Sequence, residues 1–179
     1  MKTGKSLVLT ALLAVMPVVA VQAKPVEKPA EKPAAKVEAK EITWDELMPA
    51  PDQKVIDRYQ AGKMERADVI AYLDKLGQTP VEKLDKRTVR IPGYLVPLNL
   101  DKDQKATELL LVPTMGACVH VPPPPPNQTI YVKYKDGIKV EEAGYTPYWL
   151  VGALHVETNQ SEYTETLYAM TVDTLEVYK

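Results

Sequence analysis

Cysteine occurs once in these 179 residues, histidine twice and phenylalanine not at all. A single cysteine, Cys118, excludes an intramolecular disulfide and leaves dithiol exchange without a resolving partner. It also lies far from the N-terminus, so no leader cysteine can be acylated and the lipoprotein route is closed. With ten tyrosines and no phenylalanine, much of the aromatic core must carry hydroxyl groups that need a partner or water. An apolar run that spans a bilayer comfortably is also missing: residues 7–21 fall short of the about 20 that a spanning helix needs. Basic residues are in deficit from residue 41 onward, with 15 lysines and arginines against 21 aspartates and glutamates. That acidic balance excludes the basic footprint of a nucleic-acid binder and suits an anionic membrane surface poorly.

What is present begins with an export signal. Two lysines in MKTGK precede the apolar run, and Val21-Gln22-Ala23 supplies small residues at −3 and −1, the layout of a signal peptide cleaved after Ala23. The expectation is a periplasmic protein that is not integral to the membrane once processed. Residues 24–40, KPVEKPAEKPAAKVEAK, bury too little apolar surface to offset their ordering entropy and read as a disordered Lys/Pro/Ala linker. In an oxidising compartment the lone thiol is then buried, liganded or engaged in a mixed disulfide.

Residues 41–179 have the size and composition of one globular domain. Thr43 with Glu46 three residues on forms a capping-box pattern stopped by Pro49, which predicts a short helical turn that pins Trp44 to the core. Between residues 54 and 76, apolar positions recur at helical spacing around Gly62, predicting two short helices that end at Gly77. Residues 41–77 are thus the helical part. From residue 88 to 179 the pattern changes to short runs rich in Val, Leu, Ile, Tyr and Thr: residues 88–91, 94–98, 108–112, 129–134, 148–156 and 166–178. Pro92, Pro97 and Pro113 are expected at strand ends or at a bend. The fold class is mainly β with a short helical N-terminal part, closed as a small barrel or a related sandwich.

The segments VRIPGYLVPL, TELLLVP, GACVHVPPPPPNQ and WLVGALHVE carry a resemblance that covers residues 41–179. Together they resemble a family of exported bacterial proteins classed only as a domain of unknown function. The resemblance implies an OB-like barrel and no assigned catalytic activity. It further implies an envelope partner, as companions of ABC-type export systems, some of them in metal-responsive settings.

Three chemistries remain open for the residues. If residues 118–121 are extended, Cys118 and His120 share one face, and His155 is the remaining soft side chain; these three suit zinc, with Glu108 or Met115 as a fourth ligand, or less well copper. Cys118 with a histidine and Glu108 is alternatively a nucleophile, base and orienting group, although side chains two apart on a strand need a bend to meet. Otherwise Cys118 is a packed core residue. The five consecutive prolines, Pro122, Pro123, Pro124, Pro125 and Pro126, make a stiff rod. That rod either forms a ridge for partner binding together with Asn127 and Gln128, or braces one end of the barrel while those two side chains satisfy loop carbonyls. The leading expectation is a non-enzymatic periplasmic binding or accessory domain. A zinc-binding protein stands second and a thiol-dependent enzyme third.

Overall fold

The computed structural model describes residues 38–118 and 120–179, so the expected signal peptide and most of the expected linker lie outside the described residues. None of the helices described is long and apolar enough to cross a membrane. The first strand, β1 (Lys40–Glu41), leads into a 3-10 turn at Trp44–Leu47, where the Glu46 carboxylate accepts from the Thr43 N–H at 3.1 Å. The capping-box expectation therefore holds. Trp44 is half-buried and donates from Nε1 to the Pro92 carbonyl at 2.7 Å, while Leu47 is the residue of this turn that is fully buried.

Helices α1 (Gln53–Gln60) and α2 (Arg66–Gly77) form where the periodicity places them, separated at Gly62, whose φ of +66° needs a glycine-like conformation. Asp52 caps α1 by accepting from the Lys54 N–H, and the Tyr72 hydroxyl accepts from the Asp52 N–H at 2.8 Å. Their apolar stripe does not join the barrel core. Val55, Ile56, Tyr59, Val69, Leu73 and Leu76 line an open groove of the hairpin itself.

Five longer strands follow: β2 (Arg87–Leu98), β3 (Lys105–Val112), β4 (Ile130–Lys139), β5 (Pro147–Gln160) and β6 (Glu165–Val177). They pair in the order β2-β3-β4-β6-β5 and close by pairing β5 with β2. The β4–β6 pair is parallel and the other pairs within this ring are antiparallel. This closed arrangement is a barrel rather than a sandwich, with the five-stranded Greek-key character of the OB type. Two runs expected as separate strands, 88–91 and 94–98, are one strand that turns a corner. Arg87 to Tyr94 pair with β5, and Tyr94 to Leu98 pair with β3. At that corner a Cβ on Gly93 would stand 2.8 Å from both Leu111 Cδ1 and the Val112 carbonyl oxygen.

Pro92 and Pro97 consequently lie inside the ladder of β2, whereas Pro113 follows β3 directly. Pro92 falls where one edge of β2 has left β1 at Arg90 and has not yet reached β3 at Tyr94, so its missing N–H removes no partner there.

Alternating residues fill the barrel: Val89, Ile91 and Leu95 of β2, Leu109 and Leu111 of β3, Ile130 and Val132 of β4, with Leu150, Leu154, Tyr168 and Met170. The uninterrupted Leu109-Leu110-Leu111-Val112 has a separate cause. Its outward side chains, Leu110 and Val112, form a second apolar cluster with Val96, Leu98 and Ala117 on the outside of the barrel, against which Cys118 packs. β3 is therefore buried on both faces. Each such residue contributes on the order of 1.5–3 kcal/mol by burial.

The two buried tyrosines find partners for their hydroxyls. Buried Tyr168 donates to the Leu47 carbonyl at 2.8 Å and accepts from the Val81 N–H at 2.6 Å, and Tyr148 donates to the Glu142 carbonyl.

The closest approach within the barrel is at Gly152, beside a bulge on β5, where a Cβ would stand 2.1 Å from the Thr171 carbonyl oxygen. Gly152→Ala is expected to cost about 3 kcal/mol or more in urea denaturation, because the obstacle is backbone and cannot rotate away. A loss below about 1 kcal/mol would contradict the β5–β6 register described here.

Candidate functional site at the mouth of the barrel

The connection from β3 to β4, residues 113–129, is the segment on which the sequence concentrates its chemistry. It does not run straight. Gly116 has φ +78° and Cys118 has φ +67°, so the chain turns back on itself, and the Gly116 carbonyl accepts from the N–H groups of His120 at 2.8 Å and Val121 at 3.3 Å. The extended segment expected at 118–121 is thus replaced by a turn, and the argument that placed Cys118 and His120 on one strand face no longer applies. A left-handed non-glycine residue costs roughly 1–2 kcal/mol. At Cys118 that cost is offset by packing on the outer cluster of Val96, Leu98 and Leu110.

The other proposed ligands lie elsewhere. Pro147 of β5 pairs with Tyr94 at the mouth, but His155 is eight residues farther along the strand, about 26 Å at the usual rise. There its Nδ1 lies 3.9 Å from Asp85 Oδ1, an oxygen that also accepts from the Val156 N–H at 3.1 Å. Asp85 is held below the usual carboxylate range by that backbone hydrogen bond first, and then by the nearby Lys86. Glu108 accepts from Asn99 Nδ2 at 3.1 Å on the outer face of β3, and Met115 is exposed on the turn. Among the described residues no three of His, Cys, Asp and Glu form a group able to hold a metal ion. Burial pushes the Cys118 thiol up, the opposite of what an activated nucleophile needs.

Beyond Val121 the proline run leads into a further 3-10 turn, Pro126–Gln128, which ties the loop down. The buried Asn127 carboxamide donates to the carbonyls of Leu76 at 2.8 Å and Thr79 at 3.0 Å, at and just beyond the C-terminus of α2. Gln128 Nε2 donates to the Trp44 carbonyl at 3.0 Å. Pro125 sits against Gly77, where an added Cβ would meet Pro125 Cβ at 2.7 Å. Pro125, Asn127 and Gln128 therefore brace the loop.

The rod does not offer one continuous ridge from Pro122 to Gln128. Pro122, Pro123 and Pro125 are exposed, Pro124 and Pro126 are half-buried, and Asn127 is buried. The expectation that all seven residues form a partner-binding surface is corrected accordingly, because a rod anchored at one end must turn part of its circumference toward what anchors it.

What the braced loop frames is a cleft of about 200 Å³ at the mouth of the barrel, lined by Tyr94, Val96, His120, Val140, Ala143 and Tyr145 among others. Its second lip is the β4–β5 connection, turned by Gly144 at φ +86°. Met115, Val121, Val140 and Tyr145 are exposed around it, Tyr145 by 75%. Sequence reasoning missed the Val140 to Tyr145 lip because it reads as a polar turn around Glu141 and Glu142. The isolated Tyr145 beside Gly144 was the available signal.

A family model described as a protein of unknown function, DUF3299, matches residues 44–177. The crystal structure of a DUF3299 family protein from Pseudomonas aeruginosa superposes with a TM-score of 0.61 at 32% sequence identity, covering 79% of this chain and 97% of that one. No curated protein matches the chain.

The half-buried thiol gives a direct check on the loop. Cys118 is expected to react with a thiol-specific probe more slowly at neutral pH than a free cysteine does, and to accelerate only well above the ordinary thiol range. Rapid labelling at pH 7 would place the thiol outside the cluster described.

Proposed function

This chain belongs to the DUF3299 family, and we propose that it is a periplasmic, non-enzymatic binding or accessory domain whose working face is the barrel mouth. One observation carries the reading. Exposed apolar residues stand on both lips of an apolar cleft, Met115 and Val121 on a loop fixed from behind by Pro125, Asn127 and Gln128, and Val140 and Tyr145 on the β4–β5 connection. A free chain gains nothing by holding apolar groups rigidly in water, whereas a partner meets a surface whose ordering cost is already met. The partner is an envelope protein, a component of an ABC-type transport or export assembly, to which the export signal and the family resemblance both point. The acidic domain supports no role in nucleic-acid binding.

Zinc binding through Cys118 and His120 is the competing reading, and stoichiometric metal that disappears in both Cys118→Ser and His120→Ala would establish it in place of this one. The direct test puts a photo-crosslinking amino acid at Tyr145 in the full chain expressed with its leader. The expected result is an adduct with a subunit of an envelope transporter, identified by mass spectrometry, that is lost when Val121 and Val140 are both changed to glutamate. An adduct yield at Tyr145 no higher than at Lys135, on the distant part of β4, would overturn the proposal.

A further inference from the structure

We infer a second ligand site, on the outer face of the barrel, that takes a short oligosaccharide carrying free hydroxyl and amino groups. It goes beyond the mouth and shares no lining residue with it. Leu98 at the end of β2, Asn99 in the β2–β3 loop, Glu108 of β3, Tyr131 of β4, and Gln160 to Glu162 at the β5–β6 turn enclose a cleft of about 300 Å³. That volume is at the low end of small-molecule sites, suited to one sugar ring with its neighbours lying along the open groove.

The chemistry of the lining selects the ligand. Each carboxamide turns one N–H onto the protein: Asn99 Nδ2 donates to Glu108 at 3.1 Å and Gln160 Nε2 to the Ser161 carbonyl at 3.4 Å. Ser161 Oγ donates to the Thr164 carbonyl and accepts from the N–H groups of Tyr163 and Thr164. What remains for a ligand is weighted toward acceptors, the Glu108 and Glu162 carboxylates and the Asn99 and Gln160 carboxamide oxygens, against one further N–H on each amide. Tyr131 adds its ring, and burial together with the adjacent Glu108 pushes its hydroxyl up, so it remains a donor. A ligand matched to this wall must itself be rich in donors.

Charge narrows the class. Strands two and three of an OB barrel, with the loops at their ends, are the surface on which such barrels take oligonucleotides or oligosaccharides. Here that surface presents two carboxylates in an acidic domain, which repels a polyphosphate and leaves the sugar chain. Both loops are already ordered. Asp101 Oδ1 accepts from the N–H groups of Asp103 and Lys105, and the Ser161 hydrogen bonds close the opposite turn, so little conformational entropy is left to lose on binding.

Calorimetric titration of the mature protein with a glucosamine trisaccharide, its N-acetylated counterpart, maltotriose, a thymidine oligonucleotide and calcium chloride tests the assignment. Saturable binding of the amino trisaccharide is expected, strongest among the probes, with affinity reduced about tenfold in Glu108→Gln and in Glu162→Gln. Glu162 is an exposed turn residue, so its variant folds regardless. Tyr145→Ala leaves this binding unchanged, which separates the site from the barrel mouth. Failure of every sugar to bind, sugar binding undiminished in both glutamine variants, or uptake of calcium that both variants abolish would overturn the proposal.

Discussion

The side chain of Asn127 is the joint on which the arrangement of this domain depends. Fully buried, it satisfies two carbonyl groups at the end of α2, where the last carbonyls of a helix have no intrahelical donor. One residue on, Gln128 does the same for Trp44 in the entry turn, and Trp44 in turn donates to Pro92 at the corner of β2. The entry turn gives Leu47 to the barrel core while the helical hairpin gives it none of its stripe, and directional hydrogen bonds from two adjacent amides tie hairpin, entry turn and barrel together. In a partly buried setting each such bond contributes about 1 kcal/mol, and each unmet carbonyl costs more than that.

The same joint governs the mouth. A run of prolines has one φ well and no N–H, so it transmits the position of its anchored end to its free end with little slack. Anchored at Asn127, it delivers the chain to the tight turn at Gly116 to Val121, which places His120 on the cleft and Cys118 over the outer cluster. The thiol on which the sequence concentrates attention is thereby a packing group that covers Leu110 and Val112. The apolar groups left facing solvent are those of the rim.

Much of this was legible in the sequence where local chemistry decides the outcome. The capping box at Thr43 and Glu46, the break at Gly62, and the alternation of β5 and β6 each follow from a few neighbouring residues. The choice of Asn127 and Gln128 as satisfiers of loop carbonyls followed from their place after a segment that has lost its own donors. Distance along the chain hid the remainder. The run of Leu109 to Val112 could not reveal that its own following loop covers its outer face, since that covering depends on left-handed residues at Gly116 and Cys118. Five identical prolines likewise carry no local mark of which one meets the protein, and it is the distant helix that sets Pro125 against Gly77. His155 looked available to Cys118 only because composition does not say which end of a strand a residue occupies. The polar cleft between Asn99, Glu108 and Glu162 joins residues from two connections and a strand that no local pattern relates.

The central claim is that Asn127 holds the β3–β4 loop in one shape. Hydrogen exchange on Asn127→Ala tests it most directly. The account predicts that amides of residues 114–121 and of the last turn of α2 exchange markedly faster, while the β5–β6 pairing keeps its protection, with a global loss of about 2 kcal/mol. Unchanged exchange across residues 114–121, whatever the global stability, would contradict it.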